Sequence, residues 1–267
     1  MAAAVMPGVV GFERIWTSSS SREVARQEDG SAFERDIEFM DLMEAAGDTA
    51  PKALILFGPP GSGKGTQAKM LKESLRVPHI STGDMLRSRI NSGDELGRQV
   101  SGLMQSGRLV PDEAVNQLVR DKISEPDCAR GFILDGYPRT IPQAAVLERE
   151  LAAHGFGQLV VHLKVDYTII IARIAGRRQC SVCGALYSLT SNPPADPERC
   201  DLDGGMLVVR DDDREEVIRE RLEAYDRQTR PLLEYFAASG HPFHEVDGSQ
   251  ESPRAILDRI SGLLAVG

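Results

Sequence analysis

The sequence predicts an α/β fold with a five-stranded parallel sheet flanked by helices. Three observations predict it. Short apolar runs, 53–57 and 132–134 among them, read as strands buried on both faces. Segments with apolar residues three and four apart alternate with those runs. Strands that alternate with helices specify parallel neighbours joined by right-handed crossovers. At 267 residues the chain suits one large domain or two small ones, with ample core.

Composition narrows the function. The net charge is −9, which argues against a general nucleic-acid binder. Any site for an anionic ligand must gather its positive charge locally. No run of 18 apolar residues occurs, so no membrane span is expected. Four cysteines, two of them in a Cys-x-x-Cys, fit a reducing compartment such as the cytoplasm better than a disulfide framework.

Residues 1–50 differ from the rest. They begin small and apolar, pass through a serine run at 18–21, and turn acidic from Glu28 to Asp48. A secretory signal needs a basic start and a longer apolar core, and Glu13, Glu23 and Glu28 speak against a transit peptide. Phe33, Ile37, Met40 and Glu44 lie at helical spacing. The segment reads as a disordered extension, or as residues upstream of the true start codon, without a function.

The first strand, 53–57, follows Lys52. Gly58, Gly61 and Gly63 come next, then Lys64, then Ala68, Leu71 and Leu75 at helical spacing. That is strand, glycine-rich turn, helix. So tight a turn aims consecutive N–H groups into one concavity at a helix N-terminus, where a phosphate chain binds, and Lys64 adds a mobile positive charge. The general pattern places Ser or Thr directly after the lysine. Here Gly65 intervenes before Thr66, a variant that resembles the nucleoside monophosphate kinases.

Residues 77–80 read as a short second strand. Ser81 or Thr82 can cap a helix beginning near Asp84. Leu96, Val100, Leu103 and Met104 give another helical face, and Pro111 stands near the start of a further helix with Ala114, Leu118 and Val119 as its apolar positions. The third strand, 132–134, ends at Asp135. Ligands of an open α/β sheet bind just beyond strand C-termini, so Asp135 and the Phe57 end of the first strand should face one crevice. A fourth strand, 159–165, precedes a short helix. Residues 217–236 read as helical despite Pro231; 241–246 is the last strand, and Ile256, Ile260 and Leu263 mark a closing helix.

Residues 176–213 do not read as βα units. Cys180-Ser-Val-Cys183 is followed, after sixteen residues, by Cys200-Asp-Leu-Asp203. Two such knuckles facing each other make a closed tetrahedral site of Cys180, Cys183, Cys200 and Asp203, with Asp201 the competing carboxylate. Zinc fits this donor set best, and a closed site is structural. Iron is the other metal the thiolates would accept. Cys128 stands alone and reads as a plain thiol.

Five stretches together carry a family resemblance: 58–66, 81–87, 135–143 (Asp-Gly-Tyr-Pro-Arg-Thr-Ile-Pro-Gln), 173–178 and 211–216. They resemble adenylate kinase over about residues 52–267, and the cysteine insert is similar to the zinc-bearing lid of the long bacterial form. The resemblance implies a P-loop fold and the reaction ATP + AMP ⇌ 2 ADP with magnesium. It divides the chain into an extension 1–50 and a kinase domain 51–267. Within that domain it implies a core (51–80, 111–175, 214–267), a small helical AMP-binding insert (81–110) and a zinc-knuckle lid (176–213).

The resemblance also implies roles. Gly61, Ser62, Gly63, Lys64, Gly65 and Thr66 would cradle the ATP phosphates. Arg173, Leu186, Tyr187 and Gln250 would complete the ATP side, Gln250 through its backbone. Thr82, Arg87, Arg108, Leu109 and Val110 would form part of the AMP pocket. Gly136, Tyr137, Pro138, Arg139 and Gln143 would form the remainder, with Gln143 reading the adenine edge. Arg177, Arg210 and Arg221 would converge on the phosphates when the lid shuts, and Asp135 would hold magnesium through water. The expected partners are ATP, AMP and ADP, with a monomeric protein. Without the resemblance, Arg210 and Arg221 read as surface ion pairs and Asp211 to Asp213 as a solvated charge run.

The inventory suits phosphoryl transfer, which needs in-line placement and positive charge more than acid–base chemistry. Two rivals remain at this point. One is a kinase for UMP, CMP or GMP. The other is a nucleotide-dependent binding module, for which the second-nucleotide stretch 135–143 would be superfluous.

Overall fold

The apolar run after Lys52 forms β1 (Lys52–Phe57), and every residue of it from Ala53 onward is buried. The structure, a computed structural model, describes residues 51–189, 192–249 and 252–266. The extension 1–50 and Gln250 lie outside the described residues. After β1 come the glycine turn and α1 (Lys64–Leu75). Then follow β2 (His79–Ser81), α2 (Thr82–Ser92), α3 (Glu95–Gln105) and α4 (Asp112–Ile123). Next are β3 (Gly131–Asp135), α5 (Ile141–His154), β4 (Gly157–Lys164) and α6 (Tyr167–Ala175). Three short strands, β5 (Arg177–Cys180), β6 (Leu186–Ser188) and β7 (Leu207–Val208), precede α7 (Glu215–Ala224), α8 (Leu232–Ala238), β8 (Phe243–Asp247) and α9 (Pro253–Val266).

The main sheet has five strands in the order β2-β3-β1-β4-β8, and each adjacent pair is parallel. This is the α/β architecture expected from the sequence. Side chains alternate along each strand, so both faces of β1 are covered. Ala53, Ile55 and Phe57 join Phe132, Leu134, Leu147, Val160 and Phe236 in one cluster, while Leu54 and Leu56 are as deeply buried on the other face. Each Val, Leu, Ile or Phe among them contributes about 1.5–3 kcal/mol relative to exposure. Register aligns the strand ends: Leu56 pairs with Asp135, and Asp135 with Ser81. The carboxylate of Asp135 therefore emerges beside the glycine turn.

Local chemistry explains the insert. The Ser81 hydroxyl, not that of Thr82, caps α2 by accepting from the Asp84 N–H at 3.3 Å. Gly93 closes that helix in the left-handed region, and Asp94 caps α3 by accepting from the Gly97 N–H at 2.7 Å. The residues from Arg177 to Val208 carry a separate antiparallel sheet, ordered β6-β5-β7.

The expected single helix over 217–236 is instead two. Between α7 and α8 the chain makes a π turn at Tyr225–Thr229, closed by the Arg230 N–H on the Tyr225 carbonyl at 2.8 Å. Pro231 stands at the entrance to α8, where its missing N–H is not needed.

Candidate active site

The glycine turn is shaped for anions. Gly58 has φ 149°, and a Cβ there would lie 2.5 Å from the Leu163 carbonyl oxygen. Gly63 starts α1 with φ 98°, in the left-handed region that favours glycine. No side chain caps α1 and no acid stands in its first turn, so the amino-terminal N–H groups are left for a ligand. Lys64 curls over the turn, donating to the Gly58 carbonyl at 2.8 Å and the Pro59 carbonyl at 2.9 Å. Burial pulls its pKa down to about 8. Asp135 opposes that shift, and Arg139, Arg221 and Arg177 reinforce it.

A cavity of about 640 Å³ opens from this turn. Of the residues the sequence assigns to nucleotides, Gly61 through Thr66, Arg173, Arg177, Leu186 and Tyr187 line it on one side. Thr82, Arg87, Arg108, Leu109, Val110, Gly136, Pro138, Arg139 and Gln143 line it on the other, with Asp135, Arg210 and Arg221 also on its wall. Tyr137 does not line it. Its ring is buried, and its hydroxyl donates to Asn116 Oδ1 at 2.7 Å. Gln143 is held at both ends of its amide: Oε1 accepts from the Arg139 N–H at 2.7 Å, and Nε2 donates to Asp112 at 2.8 Å. One N–H and one lone pair of that amide remain for a ligand.

The arginines converge, but not as surface ion pairs. Arg177 and Arg221 both meet Asp213, at 3.2 and 3.0 Å, and the Asp213 side chain is fully buried. Arg221 also reaches Asp212 at 3.2 Å, and Arg87 reaches the same carboxylate at 3.5 Å. Arg210 donates to Gln179 at 2.7 Å and lies 3.7 Å from Asp84. Arg87–Asp212 and Arg210–Asp84 join α2 to the residues between β7 and α7. Burial, with Arg87 and Arg177 nearby, brings Arg210 down to about 10; burial and Arg221 do the same to Arg139. Arg139 has no carboxylate partner among the described residues. It bonds the Gly136 carbonyl through Nε at 2.9 Å, and its own carbonyl accepts from Thr229 at 2.9 Å. Arg173 bonds the Gly248 carbonyl at 2.7 Å.

Asp212 and Asp213 are thus the acids that hold the arginines, where sequence reading saw a solvated run. The one available signal was their placement between Arg210 and Arg221. Removing one partner of a buried ion pair leaves uncompensated charge. We expect Asp213→Ala to lose roughly 3 kcal/mol of stability in urea denaturation. A loss below about 0.5 kcal/mol would mean that the pair behaves as a solvated one.

The cysteine segment gathers as its spacing suggests. Ligand atoms of Cys180, Cys183, Cys200 and Asp203 all lie within 4.8 Å of one another. The competing carboxylate, Asp201, is turned away and accepts from the Ala195 N–H at 2.9 Å. The Gly205 N–H and the thiols of Cys183, Cys180 and Cys200 hold the Asp203 carboxyl well below the usual range. Three sulfurs and one carboxylate at this spacing suit a tetrahedral divalent ion. Cys128 is separate: its thiol is buried against the Lys122 carbonyl at 3.2 Å.

Comparison with known proteins agrees with this geometry. A family model described as adenylate kinase matches residues 56–241. An adenylate kinase of Syntrophomonas wolfei is 46% identical over 206 residues, covering 77% of this chain and 95% of the relative. Adenylate kinases of Syntrophotalea carbinolica (48% identical; 74% and 92% covered) and Methanocella arvoryzae (47%; 76% and 94%) are similar to it as well. A P-loop-like turn, a second arginine-lined half of one cavity and matches of this extent lead to one conclusion: the chain belongs to the adenylate kinase family.

Proposed function

We propose that the chain transfers the terminal phosphoryl group of ATP to AMP, giving two ADP, in adenine nucleotide homeostasis. One observation carries this reading: a single cavity runs from the glycine turn to Arg139 and Gln143, so two nucleotides can meet end to end. The amides of Gly61 to Thr66 and Lys64 hold the ATP phosphates. Arg173, Leu186, Tyr187 and, through its backbone, Gln250 complete the ATP side. Thr82, Arg87, Arg108 to Val110, Gly136 to Arg139 and Gln143 hold AMP, Tyr137 contributing main chain alone. Arg177, Arg210 and Arg221 supply positive charge to the equatorial oxygens of the migrating group, and no side-chain base is required.

Magnesium, when bound with ATP, neutralises phosphate charge and helps align the phosphates. Asp135 fits the task of holding its water shell: the carboxylate stands at the end of β3, 3.4 Å from where a Cβ on Gly65 would be. A structural zinc ion would be held by Cys180, Cys183, Cys200 and Asp203, giving the lid folding energy that its few apolar residues do not supply.

Water competes with AMP as acceptor, so the insert (81–110) and the lid (176–213) close over the core before transfer. The ion pairs Arg87–Asp212 and Arg210–Asp84 support this division, because they tie the two parts at the cavity mouth. The reading takes the protein as a monomer, and three clustered thiols suit the cytoplasm. No described helix is long and apolar enough to cross a membrane.

The test is a coupled assay of ADP formed from ATP with AMP, UMP, CMP or GMP, with metal analysis of the same sample. AMP should exceed each of the others by at least about 10²-fold in kcat/KM. Comparable turnover of another monophosphate would reassign the acceptor.

A further inference from the structure

Tyr187 stands between two sites. It lines the nucleotide cavity, and its hydroxyl lies 3.3 Å from Cys200 Sγ. The Asp201 N–H donates to the same phenol oxygen at 2.9 Å. With Cys200 as the thiolate that a metal requires, sulfur has no proton to give and the phenol is the donor of that bond. Partners of this kind around a metal ligand typically change metal affinity 10–100-fold. The ring has little room to adjust: Tyr187 is buried, and it pairs across the small sheet with Arg178, the neighbour of Arg177. A close-packed ring passes displacement at one end to the other.

We propose that Tyr187 is a coupling residue, through which occupation of the Cys180–Cys183–Cys200–Asp203 cluster by a divalent metal and occupation of the lid side of the cavity by ATP strengthen each other. The proposal rests on the reading that ATP binds on the lid side. Linkage is reciprocal, so ATP must tighten the metal by the factor by which the metal tightens ATP.

The experiment uses the full zinc-loaded chain and a chromogenic zinc chelator, with magnesium in excess so that ATP does not itself take the zinc. The rate of zinc release is measured with no nucleotide, with saturating ATP and with AMP. ATP should slow release about tenfold, and AMP should leave it unchanged. Tyr187→Phe keeps the ring and removes the phenol proton. Its release without nucleotide should be about tenfold faster, and the protection by ATP should fall below about twofold. Equal protection in variant and wild type overturns the coupling. So does an absent ATP effect in a wild type that binds ATP by direct titration, and in that case the reading of the cavity stands. A wild type that binds no ATP sinks both.

A spectroscopic readout does not depend on release kinetics. In the cobalt(II)-loaded protein, ATP should shift the thiolate-to-metal charge-transfer band of the wild type and leave that of Tyr187→Phe in place. Identical shifts in the two proteins refute the proposal.

Discussion

Lys64→Met lowers ADP formation roughly 10³-fold and leaves the fold intact. The lysine sits on the carbonyls of its own turn, so the phosphates of an incoming nucleotide find the charge already in place. Methionine matches its length and loses its charge. A variant that keeps wild-type rates would refute the phosphate-cradle assignment. The pKa of Lys64, lowered to about 8 by burial, adds a pH signature. The protonated amine is the working form, so kcat/KM, which reports the free enzyme, should fall as pH rises through about 8. Stability moves the other way. The folded state binds this proton more weakly than the unfolded chain does, so stability rises with pH from about 8 toward the ordinary lysine value. Both trends should vanish in Lys64→Met.

Cys200→Ser carries the second large effect. A hydroxyl is a poor substitute for a thiolate on a soft divalent ion, and the lid sheet has few apolar side chains of its own. Among the described residues its buried apolar cluster is Cys180, Tyr187 and Cys200, with Ala185 and Leu207 packed on it. We expect bound zinc to be lost, the melting temperature to fall by at least about 5 °C, and cleavage by protease to concentrate in 176–213. Unchanged zinc stoichiometry would remove Cys200 from the ligand set.

Periodicity and motif chemistry made the core readable from the sequence. An apolar run, a glycine turn and an amphipathic helix leave few alternatives, and β1, α1 and the end of β3 lie where that logic puts them. The cysteine spacing was equally direct. What escaped were choices that depend on orientation. Tyr137 belongs to the most specific motif, yet its side chain serves the core. Asp212 and Asp213 look like solvent-facing acids until Arg177, Arg221 and Arg87 arrive from other elements. Pro231 was compatible with helix on either side, and the π turn at Tyr225–Thr229 that interrupts it has no local composition signal.

Asp84, Asp212 and Asp213 hold, with their own oxygens, the guanidinium groups that the proposed reaction gives to phosphates. On that reading, binding trades one anion for another at these arginines, while Lys64 and Arg139, which bond main-chain carbonyls, meet phosphate directly.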